Sequence, residues 1–183
     1  GDWKVRQLGE IAQIVMGQSP SSANYNVSGN GLPLIQGNAD VSGRETIRRV
    51  YTTQVTKLGK RGDILLSVRA PVGEVARATF DHCLGRGVCA VRCDSNLMYH
   101  VLIFMENEWA KLSKGSTFDS VNSKEVNTFE VKWPPDLGEQ QAIVAILDDL
   151  DSQISNLGTK LSKARQIKQG MMQELLTGRI RLV

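Results

Sequence analysis

From Gly138 to Leu176 the chain reads GEQQAIVAILDDLDSQISNLGTKLSKARQIKQGMMQELL, and this stretch limits the possible folds more than any other. Ile143, Leu147, Leu150, Ile154, Leu157, Leu161, Ala164, Met171 and Leu175 recur by fours and threes, with a single break at Lys168. That is a heptad seam, which places one narrow apolar stripe along a long helix. At 1.5 Å per residue a helix from Gly138 to Thr177 runs about 60 Å. A stripe so narrow on a helix so long does not suit a core helix of its own small domain; it suits a partner helix.

Charge along the helix bears on the direction of that partner. Its first half carries Glu139, Asp148, Asp149 and Asp151 and no base, whereas Lys160, Lys163, Arg165, Lys168, Arg179 and Arg181 later oppose only Glu174. A parallel partner would set like charges side by side. An antiparallel one sets Asp148 to Asp151 near Lys163 and Arg165, although acids first and bases last also follows the helix dipole.

Ahead of the helix the pattern changes. AQIVMG, LPLIQG, DILLSVRA, GEVARATF and VCAVRC are apolar or alternating runs cut by Gly, Asn, Ser and Pro, as expected of short strands joined by turns. Two helices interrupt them, a short one near VRQLGEIAQ and a firmer one in SNLMYHVLIFMENEWAKLS, where Leu97, Val101, Phe104, Met105, Trp109 and Leu112 share one face. The prolines of WPPD then close this body. The expected fold class is α+β: a β-rich domain over residues 1–136, followed by one long coiled-coil helix over residues 137–183.

The 183 residues carry a net charge of +3, which permits a nucleic-acid partner without requiring one. Placement is more informative than the total. Arg44, Arg48, Arg49, Lys57, Lys60 and Arg61 stand against Glu45 alone between positions 44 and 61, a cluster suited to phosphates or to an ordinary solvated surface. No run approaches the roughly 18 apolar residues of a membrane span and no signal-peptide pattern opens the chain, so the expectation is a cytoplasmic protein without a membrane partner. The absence of an initial Met suggests that the natural chain extends upstream.

Catalytic motifs are weak. Cys83, Cys89 and Cys93 lack a Cys-x-x-Cys pair, so they read as buried thiols rather than zinc ligands. GRGVCA at Gly85 to Ala90 fits a dinucleotide fingerprint in letters, but a strand-like run follows where a helix is required. Asp119, Glu130 and Lys132 could form a magnesium nuclease centre, the rival reading from another class; a third is a scaffold that pairs helices without touching DNA. No cofactor or metal is expected.

The chain resembles the specificity subunit of type I restriction-modification enzymes over essentially its whole length. The resemblance is carried by WKVRQLGEIAQIVMGQSPS, GDILLSVRAPVGEVA, KGSTFDSVNSKEVNTFEV and PPDLGEQQAIVAILDDLDSQI running on to ELLTGRIRL. Where the family usually has Pro-Leu-Pro-Glu-Gln-Gln before the helix, Gly138 replaces the helix-starting proline, a loss of preorganisation at the first turn. The resemblance implies a target-recognition domain and one conserved-region helix, which would set the spacing of a bipartite target and dock a methyltransferase subunit. It implies a chain that catalyses nothing and works with double-stranded DNA, a DNA adenine methyltransferase subunit, a motor/endonuclease subunit, and a second copy or half of the specificity subunit.

Within that frame Gln36, Asn38, Arg69 and Arg86 are the candidate base readers, as amides and guanidinium groups suited to base edges: Gln36 and Asn38 fall in the turn QGN after a strand, and Arg69 follows the strand ILLSV. Lys114, Ser116, Thr117 and Lys124 are candidates for phosphates or adjacent bases. The seam residues Ile143, Leu147, Leu150, Ile154, Leu157, Leu161, Met171 and Leu175 are the candidate helix interface.

Overall fold

A computed structural model describes residues 2–113 and 120–182. In chain order the elements are β1 (Lys4–Gln7), α1 (Leu8–Ile11), β2 (Gln13–Met16), β3 (Tyr25–Asn26), β4 (Leu32–Ile35), β5 (Val41–Ser42), β6 (Glu45–Thr46), β7 (Tyr51–Thr52), β8 (Leu58–Gly59), β9 (Ile64–Ser67), β10 (Val75–Arg77), β11 (His82–Leu84), β12 (Val88–Arg92), α2 (Leu97–Phe104), α3 (Glu106–Ser113), α4 (Ser123–Thr128), β13 (Glu130–Trp133) and α5 (Leu137–Leu176). The chain is α+β, and divides into two units, residues 1–141 and 142–183.

Three sheets build the first unit. The largest runs β2-β12-β9-β10-β6-β5, the second β3-β7-β4-β11-β8, and β1 pairs with β13 alone. All pairings are antiparallel except β10 with β6 and β11 with β4. The central strands β9 and β12 are buried along nearly their whole length, which is why ILLS and VCAV are continuous apolar runs rather than alternating ones. Leu65, Ala76, Val88 and Ala90 from the six-stranded sheet meet Ile35 and Leu84 from the five-stranded one, so the core lies between the two larger sheets.

The hairpin β5–β6 turns through Gly43 and Arg44, both at positive φ (56° and 64°), the left-handed pair that a two-residue turn between twisted strands demands. Arg44 is the one non-glycine residue at positive φ among those described, and its side chain is held by an ion pair with Glu106.

The helix expected over SNLMYHVLIFMENEWAKLS is two helices. Met105 leaves helical geometry (φ −91°, ψ 5°) and ends α2, and α3 opens on Glu106, whose carboxylate accepts hydrogen bonds from the Val75 amide and from Arg44. The break redirects the apolar face: Leu97, Met98, Leu102 and Trp109 are buried, whereas Phe104 is 84% exposed. The Leu112 side chain lies outside the described residues. Trp109 stacks on Phe129 at 3.7 Å between ring centroids, tying α3 to the segment before β13.

Helix α4 opens on a reciprocal cap, Asn122 accepting from the Glu125 amide and Glu125 from the Asn122 amide. Helix α5 spans 40 residues. Its first turn is fixed despite Gly138: Asp136 accepts from the Glu139 amide at 2.7 Å, Gln140 donates its side chain to the Pro134 carbonyl, and the Trp3 indole donates to Glu139. An Asp cap thus supplies what a first-turn proline would otherwise preorganise. No described helix is long and apolar enough to cross a membrane.

Candidate nucleic-acid interface

Four loops meet at one end of the two large sheets. After β4, Gln36 and Gly37 lead into the turn Asn38–Asp40. The buried Asp40 accepts from the Gln36 amide at 2.8 Å and from Arg49 Nε at 2.9 Å, so one carboxylate fixes the turn and occupies a nearby arginine. After β9 the Ser67 hydroxyl lies 2.8 Å from the Arg69 carbonyl and 2.9 Å from that of Pro71. Asn38 reaches the same Pro71 carbonyl at 3.4 Å, bridging the two loops.

The third loop follows β11. The Gly85 amide donates to the Ile35 carbonyl and the Val68 amide to the Gly87 carbonyl. Gly87 is required here by space: a Cβ on it would lie 2.0 Å from the Gln36 carbonyl oxygen. Between these glycines the Arg86 amide donates to the Ser19 hydroxyl at 3.1 Å, which brings in the fourth loop, Gly17 to Ser21. Val121 donates to Val68, and Arg69 forms a bridge with Ser120.

The structure therefore gathers Gln36, Asn38, Arg69 and Arg86 in one loop cluster. Gln36, Arg69 and Arg86 are exposed, and their side chains make no hydrogen bond or ion pair with any other described residue. Lys124 stands exposed in the first turn of α4, a helix packed on α1, and no contact draws its side chain into the cluster. Lys114, Ser116, Thr117 and Asp119 lie outside the described residues. Glu130 and Lys132 are exposed and alternate with buried Val131 and Trp133 along β13.

The basic run from 44 to 61 separates by environment. Arg44 donates to both oxygens of Glu106, at 2.6 and 3.1 Å, and the hydrogen bond with that carboxylate raises its pKa further above an already basic value. Arg49 is held by Asp40, and Arg48 lies 4.2 Å over the Phe80 ring. The Lys57 carbonyl accepts from Leu84, which sets Lys57 at the end of β11 where the loops meet. Lys60 and Arg61 belong to the turn at its other end, where their amides donate to Asp63 and Asp81.

Sequence reasoning missed Ser19 and Lys57 as neighbours of the cluster. Their signals were slight: a serine in a Gly-Gln-Ser-Pro turn, and one lysine among six basic residues. Cys83 and Cys89 are buried, and burial pushes the Cys89 thiol up to about 12. GRGVCA runs into strand β12, so no helix N-terminus follows those glycines.

Comparison with known proteins agrees with this architecture. The family model for the type I restriction modification DNA specificity domain matches residues 1–166. The specificity subunit named for the type I restriction enzyme MjaX of Methanocaldococcus jannaschii is 34% identical over 99% of this chain and 44% of its own length. That of MjaIX from the same organism is 27% identical over 85% of this chain and 39% of its own length.

Among solved structures, a chain from a study of complex assembly and conformational transition of the type I R-M system matches at TM-score 0.77 and 36% identity, covering 94% of this chain and 45% of the other. The HsdS subunit from Thermoanaerobacter tengcongensis matches at 0.73 and 35%, covering 94% and 44%. This chain thus spans about half the length of the relatives it matches. It belongs to the family of type I restriction-modification DNA specificity domains.

Proposed function

We propose that this chain is a non-catalytic DNA-sequence-recognition module of a type I restriction-modification system, reading one half-site of a bipartite target. The observation that carries the reading is the convergence of Gln36, Asn38, Arg69 and Arg86 on one loop cluster. Arginine and amide side chains are the groups that pair bidentately with guanine and adenine edges in the major groove. Backbone hydrogen bonds and the Asp40, Ser67, Ser19 and Asn38 side chains fix the loops, while the exposed Gln36, Arg69 and Arg86 side chains are left available. Lys57 beside them, and Lys114, Ser116, Thr117 and Lys124 further along the chain, are assigned to phosphates or adjacent bases, and phosphate contacts position a reader without specifying sequence.

Helix α5 sets the distance between two such modules. In an antiparallel pair Ile143 of one copy faces Leu175 of the other, Leu147 faces Met171, Ile154 faces Ala164, and Leu157 faces Leu161. Leu150 then faces Lys168, the break in the seam, and Asp149 and Asp151 flank it. A lysine at that layer is neutralised across the pair, which favours this register over one slipped by a heptad. The partners of the working complex are double-stranded DNA, a DNA adenine methyltransferase subunit, a motor/endonuclease subunit and a second specificity module. The chain needs no cofactor of its own.

Selection from a random duplex pool tests the reading, using the chain assembled with its methyltransferase subunit. The expected product is a motif of two half-sites at fixed spacing, palindromic when both modules are copies of this chain. Arg69→Ala or Arg86→Ala should relax the preference at one position of each half-site. A pool that emerges without enriched sequence, or a motif unchanged by both variants, would remove the assignment.

A further inference from the structure

Trp3, Val5 and Phe104 are large apolar side chains left 42%, 59% and 84% exposed. They meet around one cleft of about 420 Å³, whose lining includes Val101, Met105 and Glu130. A patch of this kind marks an interaction surface. A second set of exposed apolar groups lies just past α5, in Ile180 (46%) and Leu182 (83%). Gly178, at φ 73°, ends the helix there, and the Ile180 amide folds back onto the Glu174 carbonyl, so these residues form a short turned tail.

We infer that the Trp3–Val5–Phe104 cleft receives the C-terminal tail of a second copy of this chain, with Ile180 and Leu182 as the inserted groups. This rests on the antiparallel pairing proposed above. The register that sets Ile143 against Leu175 carries Leu176 to the level of the partner's Ala142, and brings the tail beside the partner's first helical turn. Trp3 is fixed to that turn by the 2.8 Å hydrogen bond from its indole to Glu139, so the cleft and the arriving tail meet at the same height. Glu130 and Lys132 both line the cleft and Arg179 is paired with Glu174, so the fit is carried by the apolar groups and by the register, with Arg181 at the rim of the tail. The contact would close each end of the helix pair and make the body of one copy dependent on the tail of the other.

Sedimentation equilibrium on the whole chain tests this, with helix content checked by circular dichroism. The wild type should dimerise. Ile180→Asp/Leu182→Asp and Phe104→Asp should each raise the dimer dissociation constant tenfold or more, and combining them should weaken it little further, because both remove one contact. A Val5→Cys chain mixed with a Leu182→Cys chain should give a disulfide between copies under mild oxidation. A wild-type dimer whose dissociation constant is unmoved by either variant, with no mixed disulfide, overturns this contact and leaves the pairing standing. A wild-type monomer at all concentrations overturns the pairing itself, and the tail contact with it.

Discussion

Glu106 takes Arg44 in a two-point contact, 2.6 Å to one oxygen and 3.1 Å to the other, and the oxygen nearer Arg44 also accepts the Val75 amide at 3.1 Å. One carboxylate at the start of α3 thus holds the β5–β6 hairpin and the first residue of β10. It also takes Arg44 out of the set of cations available to DNA. Glu106→Ala should cost about 1–3 kcal/mol in urea unfolding, chiefly from the orphaned amide at buried Val75. Arg44→Ala should cost less, because its half-exposed ion pair is screened by solvent, and it should leave the salt dependence of DNA binding unchanged. A salt slope reduced by about one in Arg44→Ala would show a phosphate contact instead.

Gly87 and Gln36 make the second prediction. The space for a Cβ at Gly87 is filled by the Gln36 carbonyl, and backbone cannot step aside as a flexible side chain can. Gly87→Ala should destabilise the domain by about 1–3 kcal/mol, the usual cost of overpacking. It should also alter base preference by displacing Gln36 and Arg86 together. Chemical denaturation and duplex selection on the same variant check the two effects. Normal stability with normal specificity would mean that the loops are not locked to one another.

How much of this was legible beforehand depended on the range of the signal. Helix α5 and the strands β2, β4, β9, β10 and β12 could be read because periodicity and turn residues are local. The strands β3 and β5 to β8 could not, since two residues carry no period and their pairing is decided by partners elsewhere in the chain. The candidate readers were visible as polar residues in turns after strands. Which cations were free was not visible, because Arg44 finds its acid 62 positions away at Glu106 and Arg92 finds Asp63 29 positions back. The split at Met105 was equally hidden, for it is enforced by contacts of Glu106 with a hairpin distant in sequence.

His82 predicts a pH dependence. It is fully buried, its Nδ1 donates to the Phe80 carbonyl at 2.9 Å, and its Nε2 has no hydrogen-bond partner among the described residues. Burial lowers its pKa below the ordinary 6.5, so the folded state favours the neutral ring and the unfolded state binds more protons as pH falls. The stability from keeping His82 neutral is therefore fully present above pH 6.5 and is lost as pH drops below it, by up to about 1.4 kcal/mol per pH unit. Urea midpoints at pH 7.5, 6.5 and 5.5 should show this decline, and His82→Leu should flatten it. Equal slopes in the two proteins would assign the effect to other groups.

The seam of α5 predicts its own assembly. Leu150, Ile154, Leu157 and Leu161 are 47–65% exposed, and apolar groups at heptad spacing lose that exposure only against a second helix. Leu150→Asp/Leu157→Asp places two carboxylates in the central layers and should abolish dimerisation at micromolar concentration in sedimentation. A dimer that survives it would locate the interface elsewhere. Lys168→Leu should act in the opposite direction, tightening the dimer because the polar layer opposite Leu150 is removed. The same change should blur the register that Asp149 and Asp151 specify, so that duplex selection returns half-sites at more than one spacing. A tighter dimer that keeps a single spacing would show that the tail contacts, rather than the lysine layer, fix the register.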